Sequence, residues 1–305
     1  YGWGRVERIV GEALRPFDRA EYFLVTKVWS TNLRRRALLR AAQGSLERLG
    51  VGYIDLYLVH WPNPQVPIEE TIRAMEELVA EGKVRNIGVS NFDLPLLKRV
   101  MDATKKVEIA ANQVRYSLID RRIERDLLPF CQREGILIMA YTPLEKGRLA
   151  TNPPRALAEV ARAVGRTPAQ VALNWLISKS KVAAIPKAAR VEHVRENSGA
   201  LGWRLSQEHL EVLERVGLDD YELAMWGQSL YATPGDQGLV EGQFSIVSSP
   251  LRTPMSKMSQ IKKEQSGRDR RGSPTMASRQ EGSRGRRRPP RPRMSRGRTW
   301  SGAEL

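Results

Sequence analysis

Six short apolar runs, each ending in polar residues and each followed by an amphipathic stretch, constrain this chain more than any other feature. The runs are Phe23–Val28, Ile54–His60, Asn86–Asn91, Ile109–Val114, Leu137–Tyr141 and Val182–Lys187. They are rich in Val and Ile and apolar at alternating positions of both parities, the pattern of strands covered on both faces. Between them the apolar spacing is helical. Val6, Ile9, Val10, Ala13 and Leu14 share one face, as do Leu38, Ala42, Leu46 and Leu49, and Ile72, Met75, Leu78 and Val79. Asp93 is placed to cap a helix carrying Leu94, Leu97 and Met101, and Thr167-Pro168 opens one carrying Val171, Ala172, Trp175 and Leu176. Strands this far apart cannot pair as hairpins, so they pair in parallel through right-handed crossovers. The fold class is α/β.

A doubly wound sheet of the dinucleotide-binding kind would carry G-x-G-x-x-G after its first strand, and no such turn is present. Polar residues close nearly every run instead: Lys27, His60, Ser90-Asn91, Gln113, Tyr141 and Lys187. A (β/α)8 TIM barrel builds its site from the carboxyl ends of all its strands, so the barrel is the expected architecture. A closed barrel needs eight strands and six are legible. The expectation is therefore a barrel missing its first two strands, with the helix around Arg5–Arg15 belonging to the second unit. The expected division is an incomplete barrel over residues 1–217, an irregular extension over 218–250, and a disordered tail over 251–305.

The tail reading rests on composition. Of the formal charge of +16, residues 251–305 account for most, with 16 Lys and Arg against four Asp and Glu. Thirteen of those cations are Arg, set among Ser, Gly and Pro, a mixture that cannot bury enough apolar area to offset chain entropy. The first 250 residues are nearly neutral, which excludes a protein-wide electrostatic footprint for DNA and leaves nonspecific nucleic-acid binding to the tail alone. One cysteine, Cys131, excludes an internal disulfide framework and reads as a small buried hydrophobe. Three scattered histidines leave little for a metal centre. No apolar run approaches the ~20 residues of a membrane span, and the cysteine usage reads as cytoplasmic.

Taken singly, Lys27 reads as a rim lysine with its stem buried, and His60 as a core or rim histidine. Together they converge, because neighbouring strand ends in a barrel open into one pocket. A tyrosine beside a lysine can donate a proton, since a nearby cation lowers a phenol whose ordinary pKa is about 10. A histidine beside them can orient a carbonyl oxygen by hydrogen bonding.

Several ordered segments resemble the aldo-keto reductases: YGWGRVERIVGEAL at Tyr1–Leu14, VTKV at Val25–Val28, YLVHWP at Tyr57–Pro62 and EGKVRNIGVSNF at Glu81–Phe92. NQV at Asn112–Val114, AYTPL at Ala140–Leu144 and IPK at Ile185–Lys187 follow in the family's order, and the resemblance runs to about residue 216. It implies NAD(P)H-dependent reduction of an aldehyde or ketone to an alcohol, on a small-molecule carbonyl substrate, with no metal and no membrane. By position it makes Tyr1 the general acid, Lys27 the residue that lowers the tyrosine's pKa, and His60 the residue that positions the substrate carbonyl. Ser90, Asn91 and Gln113 would hold the nicotinamide carboxamide, and Tyr141 would stack under its ring. Thr142 and Leu144 fall on the pyrophosphate loop. Lys187, Arg190, His193, Glu196 and Asn197 fall on the segment for the adenosine end. NADPH is the expected cofactor, with NADH as the alternative.

Three departures accompany the resemblance. The family's catalytic aspartate precedes the tyrosine at a place this sequence does not include. Ala188 stands where serine or threonine usually follows IPK, and His193 aligns with an arginine that grips the 2′-phosphate, although Arg190 is three residues away. A phosphate favours a permanent cation over a mostly neutral histidine. The rival readings are a noncatalytic cofactor-binding module and an inactive truncated remnant. Of the tryptophans, Trp61 beside His60 is the candidate substrate contact, and Trp29, Trp175 and Trp203 are assigned to packing. Glu47-Arg48, Glu76-Glu77 and Arg34-Arg35-Arg36 are expected to be solvated.

Overall fold

The computed structural model describes residues 4–216. Tyr1, the extension expected over 218–250 and the tail expected over 251–305 lie outside the described residues.

In chain order the elements are α1 (Arg5–Leu14), β1 (Val25–Val28), α2 (Arg35–Leu49), β2 (Ile54–Val59), α3 (Ile68–Ala80), β3 (Val84–Ser90), α4 (Leu94–Ala103) and β4 (Ile109–Arg115). There follow α5 (Leu127–Glu134), β5 (Leu137–Tyr141), α6 (Arg148–Thr151), α7 (Arg155–Ala163), α8 (Pro168–Ser178), β6 (Val182–Ala184), α9 (Val191–Ser198) and α10 (Gln207–Glu214). The strands form one sheet in sequence order, every neighbouring pair parallel. This is the strand–helix alternation of the (β/α)8 barrel, with six strands among the described residues.

Two strand ends differ from the apolar runs for local reasons. β1 begins at Val25 because the amide of Leu24 is taken by the Asp55 carboxylate at 2.8 Å. β6 stops at Ala184, short of the expected Lys187, where Pro186 supplies no N–H for the ladder. The predicted caps form. Asp93 accepts from the Leu96 amide, and Thr167 forms a reciprocal capping box with Gln170 ahead of Pro168.

The sheet separates two apolar layers. Val28, Tyr57, Val59, Ile87, Val89, Val114, Ile138 and Ala140 pack outward against the helices. Val25, Leu56, Leu58, Ala111, Met139 and Ile185 form a smaller cluster on the inner face. Gly88 belongs to this inner side: a Cβ there would lie 2.5 Å from the Ala111 carbonyl oxygen and 2.7 Å from a Leu58 methyl.

Two of the charged clusters expected to be solvated, Glu47-Arg48 and Glu76-Glu77, contain residues with structural partners. Glu7 of α1 is fully buried and accepts from Thr26 and Arg48, both at 2.7 Å, which ties α1 to β1 and α2. Burial pushes the Glu7 carboxyl up, and the hydrogen bonds outweigh that, holding it below the usual carboxylate range. Glu76 is buried too, one oxygen accepting the amides of Lys105 and Lys106 at 2.7 Å each. Glu77 reaches across to Arg35 in a bidentate pair. Cys131 is buried, and burial pushes its thiol up to about 12.

Candidate active site

Strand alternation sets the site. Lys27 stands two residues beyond Val25, His60 two beyond Leu58, Ser90 two beyond Gly88, Gln113 two beyond Ala111, Tyr141 two beyond Met139, and Lys187 two beyond Ile185. Each therefore shares the parity of an inner-face residue, at or just past the carboxyl end of its strand. The first five project to the same end of the same face, whereas Lys187 lies three residues past the end of β6 and is exposed.

Lys27 is 6% exposed, and burial lowers its ammonium to about 8. The charge survives at neutral pH but is far easier to remove than that of a surface lysine. The His60 imidazole is lowered to about 3, by burial first and by the Lys27 charge second, so it is neutral at pH 7 and able to donate one hydrogen bond. Its ring is met edge-on by Trp29, with centroids 4.9 Å apart, and is flanked by Trp61 at 6.4 Å. Both indoles are solvent-facing, Trp29 at 45% and Trp61 at 38% exposure. Trp29 is thus no packing residue. The signal that could have found it was present: it lies two residues past Lys27, on the inner parity.

Next to this pair lies a hydrogen-bonded arch. Asn91 sits in the left-handed region at φ 64°, which swings its side chain back over the strand ends. Its Nδ2 donates to the His60 carbonyl at 3.0 Å and to Ser90 Oγ at 3.1 Å, and its Oδ1 accepts from the Tyr141 hydroxyl at 2.9 Å. Ser90 Oγ in turn donates to the Gln113 carbonyl at 2.9 Å. Four strands are joined through residues the sequence had singled out. Burial raises the Tyr141 phenol, so it stays protonated at neutral pH.

The loop after β5 holds three non-glycine residues at positive φ: Thr142 at 54°, Glu145 at 49° and Lys146 at 56°. Each costs about 1 kcal/mol or more, so the surrounding contacts must hold the loop in place. Further along, Arg190 is the residue just before α9, and its guanidinium contacts His193 Nε2 at 2.6 Å. Lys187, Arg190 and His193 are exposed, while Glu196 and Asn197 are half-buried. The α9 end is fixed from behind by Gln170, whose amide donates to the Glu196 carbonyl at 3.0 Å. Among the described residues no cluster of three His, Cys, Asp or Glu could hold a metal ion, and no helix is long and apolar enough to cross a membrane.

Known proteins resemble this chain in sequence and fold. A sequence profile described as the aldo/keto reductase family matches residues 1–217. The methylglyoxal reductase of Escherichia coli strain K12 is 42% identical over 219 residues, covering 71% of this chain and 76% of that protein. The glyoxal reductase of Bacillus subtilis strain 168 is 34% identical, covering 66% of this chain and 71% of its own. Among solved structures, a thermostable aldo-keto reductase in complex with the inhibitor epalrestat is 47% identical with a TM-score of 0.68, covering 70% of this chain and 78% of that one. An aldo/keto reductase from Klebsiella pneumoniae in complex with NADP and acetate is 42% identical with a TM-score of 0.63, covering 70% and 75%. The chain belongs to the aldo/keto reductase family and is an NAD(P)H-dependent oxidoreductase.

Proposed function

We propose that this protein reduces the carbonyl group of a small aldehyde or ketone to an alcohol, using NADPH. The observation that carries the reading is the convergence of Lys27, His60, Ser90, Gln113 and Tyr141 at one end of one face of the sheet. When bound, the nicotinamide supplies the hydride.

The donor set fits a dinucleotide. Hydroxyl and amide groups of Ser90, Asn91 and Gln113 suit a carboxamide, and the Tyr141 ring offers a flat surface beside them. Thr142 and Leu144 lie on a sharply turned loop suited to pyrophosphate. Lys187, Arg190 and His193 stand at the start of α9, where backbone amides and the helix dipole favour an anion. Arg190 supplies the permanent cation that a 2′-phosphate favours, which supports NADPH over NADH, and Glu196 and Asn197 line the same segment.

His60, neutral and donating, orients the substrate oxygen, while Trp29 and Trp61 offer apolar surfaces beside it. Lys27 stands beside them as a buried cation. Tyr1, outside the described residues, is the proton donor in this reading, its phenol acidified by Lys27. The names of the related reductases point to compact dicarbonyls such as methylglyoxal and glyoxal as first substrates to try.

The test is NADPH oxidation with methylglyoxal by the wild-type chain and by Tyr1→Phe. Turnover should fall at least about 100-fold in the variant, with NADPH binding retained. Unchanged turnover in Tyr1→Phe would remove the proton-donor role.

A further inference from the structure

We propose that Glu145 is a positioning residue for the cofactor's pyrophosphate, acting through the loop that follows β5. The proposal rests on the dinucleotide reading above. Between Thr142 and Gly147, four residues take left-handed φ, including the non-glycines Thr142, Glu145 and Lys146. Backbone turns within the loop, from the Glu145 amide to the Thr142 carbonyl at 3.0 Å and from the Gly147 amide to the Leu144 carbonyl at 2.9 Å, close it on itself. They do not fasten it to the sheet.

Leu144 packs against the core, and the polar fastening comes from the Glu145 side chain, which is 4% exposed although it sits in a loop. One carboxylate oxygen pairs with the Arg115 guanidinium at the end of β4, and the other accepts from Ser117 Oγ at 2.6 Å. Arg115 is held from its other side by Asp120 at 3.2 Å, and Asp120 by Arg122 at 2.6 Å. Two cations thus answer two carboxylates, so Glu145 can be buried beside an anion-binding loop without presenting uncompensated negative charge to it.

The loop carrying Thr142 and Leu144 is therefore bolted to the neighbouring strand end in a conformation its own residues disfavour. Without the bolt it would relax, and binding would have to reorder it. That ordering cost appears in cofactor affinity.

The consequence separates the two ends of the cofactor. NADPH, NADH and adenosine 2′-monophosphate would be titrated against the full chain, wild type and Glu145→Gln, with thermal unfolding followed on the same samples. Dissociation constants for NADPH and NADH should both rise about tenfold, or about 1.4 kcal/mol. That for adenosine 2′-monophosphate, which has no pyrophosphate, should stay within about twofold. Ser117→Ala, which removes one of the two anchors, should give a smaller loss of the same pattern and serves if Glu145→Gln does not fold.

Unchanged NADPH binding in folded Glu145→Gln would overturn the proposal and leave the dinucleotide reading standing. Equal loss for all three ligands would also overturn it, because it would reveal general loosening. A folded wild type that binds no dinucleotide would overturn the proposal and the reading together.

Discussion

The Tyr141 hydroxyl donates to Asn91 Oδ1 across 2.9 Å, linking the end of β5 to the residue after β3. The ring and the hydroxyl of Tyr141 therefore have separable jobs. Tyr141→Phe keeps the ring and loses one hydrogen bond worth about 1 kcal/mol, so its NADPH affinity should change little while its stability drops slightly. Tyr141→Ala removes the flat surface and should weaken NADPH binding about tenfold or more. Titration of both variants separates the roles, and equal losses would tie binding to the hydroxyl.

Lys27 should cost the fold stability that its function requires. Lowering its ammonium from 10.5 to about 8 by burial corresponds to roughly 3 kcal/mol against the charged form. Between those two values the unfolded chain binds more protons than the folded one, so stability rises with pH there and the full penalty stands below about pH 8. Lys27→Met should therefore raise the unfolding temperature at pH 7 while abolishing turnover. A variant both less stable and fully active would contradict the assignment.

His60 acts in the acid range with the same sign. Its folded value is lowered from 6.5 to about 3 by burial, so the unfolded chain takes up a proton first as pH falls. Stability is full above pH 6.5 and declines towards pH 3, at up to about 1.4 kcal/mol per pH unit. Urea unfolding between pH 4.5 and 6.5 should show this slope, and His60→Gln should flatten it. That window lies above the range in which Glu7 and Glu214, both held below the usual carboxylate value, would add their own acid dependence.

Gly88 should tolerate no side chain. Its absent Cβ would meet the Ala111 carbonyl oxygen at 2.5 Å, and backbone cannot step aside as a flexible side chain can. Gly88→Ala should lower stability by about 1–3 kcal/mol and shift β3 against β4, with weaker cofactor binding through Ser90 and Gln113. Denaturant midpoints and an NADPH titration on the same variant would show both effects.

The elements that sequence reading found are those whose signal is local and periodic. All six strands were legible because each is a short Val- and Ile-rich run ending in a polar residue, and Asp93 and Thr167 announced their helices by capping chemistry. The candidate site was legible for the same reason: Lys27, His60, Ser90, Gln113 and Tyr141 each end a run. Residues working through distant partners were not legible. Glu7 meets Arg48, and Arg115 meets Glu145, across intervening elements. In sequence such charges look like any solvated face. Trp29 was missed because an indole at a strand end reads as packing until the His60 ring beside it is seen.

In the proposed function, residues at one end of this sheet bind a nicotinamide dinucleotide. The most direct measurement is titration of the full chain with NADPH and NADH, followed by tryptophan fluorescence, with circular dichroism on the same sample to establish folding. Saturable quenching by NADPH is expected, weakened about tenfold by Arg190→Ala, with NADH little affected by that change. A folded chain whose fluorescence neither cofactor alters would contradict the account.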